Sequence, residues 1–105
     1  NMNGDTLWTR SVGDTIRDQG FNTISITANG ELYLAGEYPT DGNVDALVAK
    51  ATSNGTPIWE HIYDLDDRDN PLDIRALTDG AVVCGWSFGP QSRQVMVLRT
   101  DTQGN

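Results

Sequence analysis

Residues 54–65 read NGTPIWEHIYDL, and residues 3–14 read NGDTLWTRSVGD. Both open on Asn-Gly and carry a tryptophan five positions later, Trp59 and Trp8. Residues 103–105 read QGN, where the same pattern would open again. Gly4, Gly55 and Gly104 thus mark three starts, at spacings of 51 and 49. An internal repeat takes precedence over every other reading, because it fixes the architecture. More landmarks follow the same offset. Arg17-Asp18 matches Arg68-Asp69, and Ile24 matches Ile74. Asn29-Gly30 matches Asp79-Gly80, and Gly36 matches Gly85. Val48 and Lys50 match Val97 and Arg99. The drift in spacing needs one-residue deletions near Gly20 and Glu31, at bends that tolerate a change of length.

Each unit has the same grammar. NTISITANG alternates, with Ile24 and Ile26 on one face, and ends in Asn-Gly; ELYLAGEY follows at once. Two strand-like runs joined at Asn-Gly read as a hairpin. The second unit repeats this as LDIRALTDG and AVVCGWSF. A polar loop leads to a third run, DALVAKAT or QVMVLRTD, and a turn then leads to the tryptophan segment. The third run is apolar at its centre, as in a strand covered on both faces. This predicts four short strands per unit in a meander, with no helix.

About fifty residues in four antiparallel strands is the size of one β-propeller blade. The pattern W…G…DG-aVVcGW…vlRTDtqGn resembles a family of bacterial secreted β-propeller repeats. Its form is DG-(apolar)3-G, an Asp-rich loop, then a Lys/Arg-containing strand, a Gly turn and Trp. The resemblance covers the whole chain. It departs at Ala51, which stands where the second unit has Thr100, and in the small residues of NVDALVAKAT. The resemblance implies an all-β propeller module and an extracytoplasmic setting. It is weakly specific for function, since propellers host many.

The expected phase places NTISIT and DIRALT innermost and the Trp segments outermost. Residues 1–12 are then an outer strand without its unit. Residues 13–63 form one blade, and 64–105 a second that lacks its outer strand. A propeller needs about four or more blades. The spare strand is therefore expected to complete the last blade of another copy, building a homo-oligomeric ring of six or eight blades. The alternative is a piece of a longer propeller, which a chain starting at Asn1 rather than methionine also suits.

Composition narrows the function. The 105 residues carry fifteen Asp and Glu against seven Lys and Arg, a net charge of −8. That argues against nucleic acid or anionic lipid, which need a basic face. No run suits a membrane span, and no signal peptide is visible. The lone Cys84 excludes an internal disulfide and reads as a small buried hydrophobe. The lone His61 has no partner for a zinc site or a Ser-His-Asp triad. No phosphate loop or dinucleotide fingerprint appears. The expectation is a protein that is not an enzyme, takes no cofactor, and works as an interaction scaffold.

Candidate sites remain. The Arg-Asp pairs, Arg17, Asp18, Arg68 and Asp69, suit a polar ring that binds a sugar or carboxylate, or a turn cap paired to the next blade. Trp86 suits stacking on a sugar ring, or cover for a blade edge. Arg75 suits an anion in a channel, or neutralisation of Asp73. These residues carry the alternative reading, a multivalent carbohydrate-binding lectin. YDLDDRDN has the oxygen density that calcium takes, but not the spacing of a calcium loop. Trp8 and Trp59 are expected to fill the gap between sheets. Gly30, Gly80, Gly36 and Gly85 are expected to be structural.

Overall fold

The computed structural model describes residues 20–65, 67–90 and 92–105. Residues 1–12 with Trp8, and also Arg17 and Asp18, lie outside the described residues. The described chain is all β. Its strands are β1 (Gly20–Ile26), β2 (Leu32–Thr40), β3 (Asn43–Ala51), β4 (Pro57–Tyr63), β5 (Arg68–Leu77), β6 (Gly80–Phe88) and β7 (Arg93–Thr100). Each expected run among the described residues forms a strand. β1, β2, β3 and β4 pair successively and antiparallel, as do β5, β6 and β7. A lone parallel bridge, Val44 to Arg68, joins the two meanders into one open mixed sheet of seven strands. β5 starts earlier than its alternating run: Arg68 and Asp69, expected in a loop, already pair with Phe88 and Ser87.

The two meanders share an irregularity that explains two of the repeated glycines. β1 slips register between Phe21 and Thr23, and β5 between Pro71 and Asp73. At each slip the strand bulges toward its neighbour, and a glycine stands opposite: Gly36 facing Phe21, Gly85 facing Pro71. A Cβ on Gly36 would lie 1.8 Å from the Gly20 carbonyl oxygen, and one on Gly85 2.1 Å from that of Asn70. Both atoms belong to backbone and cannot swing aside.

Three turns share one geometry. At 27–31, 52–56 and 101–105 the first residue's N–H bonds the fifth residue's carbonyl, and the glycine in fourth place donates to the first. Those glycines, Gly30, Gly55 and Gly104, have φ of 88°, 84° and 86°. A side chain is rarely tolerated there. The first residue supplies a local cap. Thr27 Oγ1 accepts from Glu31 N–H, Thr52 Oγ1 from Thr56 N–H, and Asp101 Oδ1 from Asn105 N–H. Gly80 serves differently, closing a tight hairpin directly opposite Leu77.

The core lies between the meanders. Tyr33, Ala35, Ala46 and Val48 of the first meet Ile74, Ala81, Val83 and Met96 of the second. Ala35, Ala46 and Ala81 are fully buried. Such short side chains let two sheet surfaces approach while Ile74 and Met96 fill the remaining volume. The lead strands are held by polar contacts instead. Ser25 Oγ accepts from Ala76 N–H at 2.8 Å, Asn22 Nδ2 donates to the Pro71 carbonyl at 3.1 Å, and the Thr23 hydroxyl donates to Asp73 at 3.3 Å.

Cys84 departs from expectation: it is exposed. It pairs with Val97 on the face of the second meander that points away from the first. β7 departs similarly, with Val95 and Val97 exposed on that same face, while β3 is buried on both faces over most of its length.

Replacing Gly85 by alanine should cost about 1–3 kcal/mol, as overpacking against fixed backbone does. Gly20→Ala, where nothing lies within 4 Å of the new methyl, should stay within about 0.5 kcal/mol of the parent. Urea titration of both variants checks this; equal midpoints would refute the bulge argument.

Candidate functional site

The feature best placed to meet another molecule is the outward face of the second meander. Cross-strand partners share a face, so Val82 lies beside Arg99, Cys84 beside Val97, and Trp86 beside Val95. Val95 and Val97 are 68% and 67% exposed. By the repeat, these positions match Tyr33, Ala35, Glu37, Ala46, Val48 and Lys50 of the first meander. Tyr33, Ala35, Ala46 and Val48 are buried against the second meander. One and the same repeat face is therefore covered in the first unit and bare in the second. The opposite face of the first meander is also apolar, with Ile24, Ile26, Ile58 and Ile62 exposed.

Three donors on one face of β4 anchor the contact between the units. The Trp59 indole N–H donates to the Thr102 carbonyl at 2.9 Å. His61 Nε2 meets the Gln103 carbonyl at 3.2 Å, which requires the proton on Nε2. The Tyr63 hydroxyl donates to the Gly104 carbonyl. Alternate residues of a strand project to one side, so three successive carbonyls of the 101–105 turn are met in order. A Cβ on Gly104 would come 2.3 Å from the His61 ring. Trp59 is half-buried against the core, with its ring centroid 6.1 Å from that of Tyr33. Burial, and then the charge of Asp101, raises the Tyr63 pKa above its usual value.

At the opposite end of the strands, Asp45, Asp64 and Asp69 place carboxylate oxygens within 4.8 Å of one another. Asp45 comes from β3, and Asp69 from β5. Asp69 is fully buried. It accepts from the Ser87 hydroxyl at 2.7 Å and from the Leu65 N–H at 2.8 Å. Asp45 is 7% exposed and accepts from Asn43 Nδ2 at 3.2 Å. Burial first, then repulsion from Asp64 and Asp69, raises its pKa. Of the acidic run singled out in the sequence, Asp64 and Asp69 join this group. Asp66 lies outside the described residues, and Asp67 lines a shallow recess with Arg68 and Pro39. Asp45, contributed by another strand, carries no local signal of its role. Three carboxylates supply hard oxygen donors, though fewer than the about six to eight that calcium takes.

Of the remaining sequence candidates, Arg75 and Trp86 are engaged within the chain. Arg75 pairs with Asp73 at 3.5 Å, both well exposed. The Arg93 guanidinium sits 4.6 Å from the Trp86 ring centroid, over its face. Arg68 is exposed at the start of β5. A cleft of about 520 Å³ opens between the 27–31 turn and residues 76–78. In its wall Lys50 pairs with Glu31 at 3.4 Å and lies 5.3 Å from the Tyr33 ring centroid. In the second unit Arg99, the counterpart of Lys50, pairs instead with Asp79, the counterpart of Asn29, at 2.8 Å.

Comparison with protein-family models, with curated protein sequences and with solved structures finds no match to this chain.

The Asp45 group makes stability depend on pH with a definite sign. Its pKa is raised in the folded state, so the folded chain binds a proton where the unfolded chain has lost it. Stability then falls as pH rises through the window above the usual 3.8. Asp45→Asn removes the buried charge yet keeps an oxygen for Asn43. It should raise the thermal midpoint at pH 7, and the gain should shrink as pH falls toward about 4. Calorimetry at both pH values checks this; a gain that does not change with pH would contradict the assignment.

Proposed function

We propose that this chain is a non-enzymatic scaffold module of the β-propeller type, contributing two units to a ring whose other units are further copies. The observation that carries the reading is the repeated face, buried between the units at Tyr33, Ala35, Ala46 and Val48 and bare at Cys84, Val95 and Val97. A four-stranded sheet cannot bury both of its apolar faces alone. The next unit would cover Val95 and Val97 as the second meander covers Ala46 and Val48. The exposed Ile24, Ile26, Ile58 and Ile62 offer an apolar surface of the kind needed. Stacking one copy's second unit on the next copy's first is a head-to-tail contact, which closes when the rotation per copy permits. Three or four copies would give about six or eight blades.

The scaffold reading is also supported by what the polar groups do. Asp69, Arg75 and the face of Trp86 are occupied by contacts within the chain. The negative charge points to a protein partner or a further copy rather than to nucleic acid.

The test is native mass. The chain should sediment as a closed oligomer, a whole multiple of 11.5 kDa. Val95→Asp with Val97→Asp should leave a folded monomer, because two charges would enter the buried layer. A folded parent chain that is monomeric at all accessible concentrations would refute the reading.

A further inference from the structure

We propose that the cleft between the two units binds a small neutral saccharide, with the Lys50–Glu31 pair holding two adjacent hydroxyls of the sugar. The site lies within one chain and needs no second copy. It goes beyond the scaffold reading and stands independently of it.

Both units build the cleft. The 27–31 turn, the start of β2 and the end of β3 form one wall; the end of β5 and Thr102 form the other. Its volume of about 520 Å³ falls within the roughly 300–1,000 Å³ of small-molecule sites, which favour junctions between packed units.

The charge of the walls selects the ligand. Of the residues described along the cleft, Lys50 and Glu31 carry charge, and their signs are opposite. Walls without net charge give neither an anion nor a cation an advantage. The Lys50 side chain is only 11% exposed, with its ammonium fixed 3.4 Å from the Glu31 carboxylate and 5.3 Å from the Tyr33 ring centroid. A zwitterionic ligand would have to draw this pair apart to satisfy its own charges. Neutral hydroxyls would not. An ammonium has three protons to donate and a carboxylate about four acceptor positions, so the pair leaves capacity on both sides. One hydroxyl can accept from Lys50 Nζ while its neighbour donates to Glu31. A donor and an acceptor side by side suit a vicinal diol, and both bonds are charge-assisted.

The rest of the lining suits a sugar ring. Ile26, 65% exposed, and Leu77, 38% exposed, place apolar surface on the two walls, where the C–H face of a ring can rest. Thr78 and Thr102 add polar residues on the second unit's side. The Thr27 hydroxyl caps its own turn and so holds the first wall in shape. A purely apolar ligand would strip water from Lys50 and Glu31 and return no hydrogen bond. A ring with polar edges and apolar faces avoids that cost. Because the walls belong to different units, an occupant also ties the units together.

Titration of the isotope-labelled chain with glucose, galactose and mannose, followed by amide chemical shifts, tests the site. A ligand of about twelve heavy atoms supports a Kd of roughly 1–10 mM. At least one sugar should give saturable shifts at Thr27, Lys50, Leu77 and Thr78, and should raise the thermal midpoint. Thr78→Trp, at an exposed turn position, fills the cleft and should abolish the shifts. Glu31→Gln keeps an oxygen but loses the charge, and should weaken binding about tenfold. Arg99→Gln, whose pair with Asp79 lies outside the cleft, should leave binding unchanged. Absence of saturable shifts with all three sugars at about 100 mM, far above that Kd, overturns the proposal. So do shifts centred elsewhere, or shifts that persist in Thr78→Trp. Free leucine, a zwitterionic probe, binding the cleft more tightly than every sugar overturns the ligand class. None of these outcomes bears on native mass, so the scaffold reading stands or falls separately.

Discussion

The apolar layer between the two meanders is the contact on which the other features depend. Ala35, Ala46 and Ala81 keep the facing surfaces close, while Ile74, Val83 and Met96 supply the bulk. A meander of four short strands on its own would leave both faces wet, and would be marginal at best. Burying a Val or Ile side chain contributes about 1.5–3 kcal/mol, so this layer supplies the main gain available to either sheet. The polar contacts at its margins fix how the sheets meet. Ser25 and Asn22 fasten the lead strands, and Trp59, His61 and Tyr63 fasten the far edge to the 101–105 turn. Apolar contact alone is non-directional; these bonds select one alignment.

The strands were legible because their signals are local. Ile24 and Ile26 alternate with polar residues, and Asn-Gly or Asp-Gly ends each first run. Gly36 and Gly85 were legible as a pair through the repeat, although their cause, a bulge in the neighbouring strand, lies elsewhere in the chain. What escaped depends on position in the stack. Cys84 sits in an apolar run like that of β2, and its counterpart Ala35 is buried; only the order of the units leaves Cys84 bare. Asp45 escaped for a related reason. Its partners, Asp64 and Asp69, are about twenty residues away, and the bridge between Val44 and Arg68 brings them together. The Arg-Asp motif before β5 was legible as a repeat but not in its roles. Asp69 turns inward to Ser87 and Leu65, while Arg68 turns out.

The two ends of the strands carry different chemistry. At one end, threonine and aspartate caps close the turns, and Lys50 and its counterpart Arg99 each pair with a nearby acid, Glu31 and Asp79. At the other, three carboxylates crowd together and Asp45 is buried beside them at some cost. The Asp101 cap illustrates the favourable case. Backbone N–H groups of Asn105 and Gln103 lower its pKa, so its charge is supported where it stands. A carboxylate set among donors and one set among acids thus depart from the usual value in opposite directions.

An uncovered edge and an uncovered face pose one problem if a single neighbour covers both. Among the described residues the outer side of β7 takes no partner strand, and edges of that kind invite uncontrolled pairing. Val95 and Val97, beside that edge, present apolar surface of the kind that drives association. In the proposed assembly the neighbour's first meander would cover the face, and a strand beside it would pair with the edge. Covering the face without the edge would leave backbone donors dry and unpaired, which is costly. Pairing the edge without the face would leave the valines in water. Each half of the contact therefore makes the other more favourable, and association by halves is disfavoured. The requirement also gives the contact a polarity, because the bare valines belong to the second meander and the exposed isoleucines offered to them belong to the first. A head-to-tail order would follow from the order of elements along the chain.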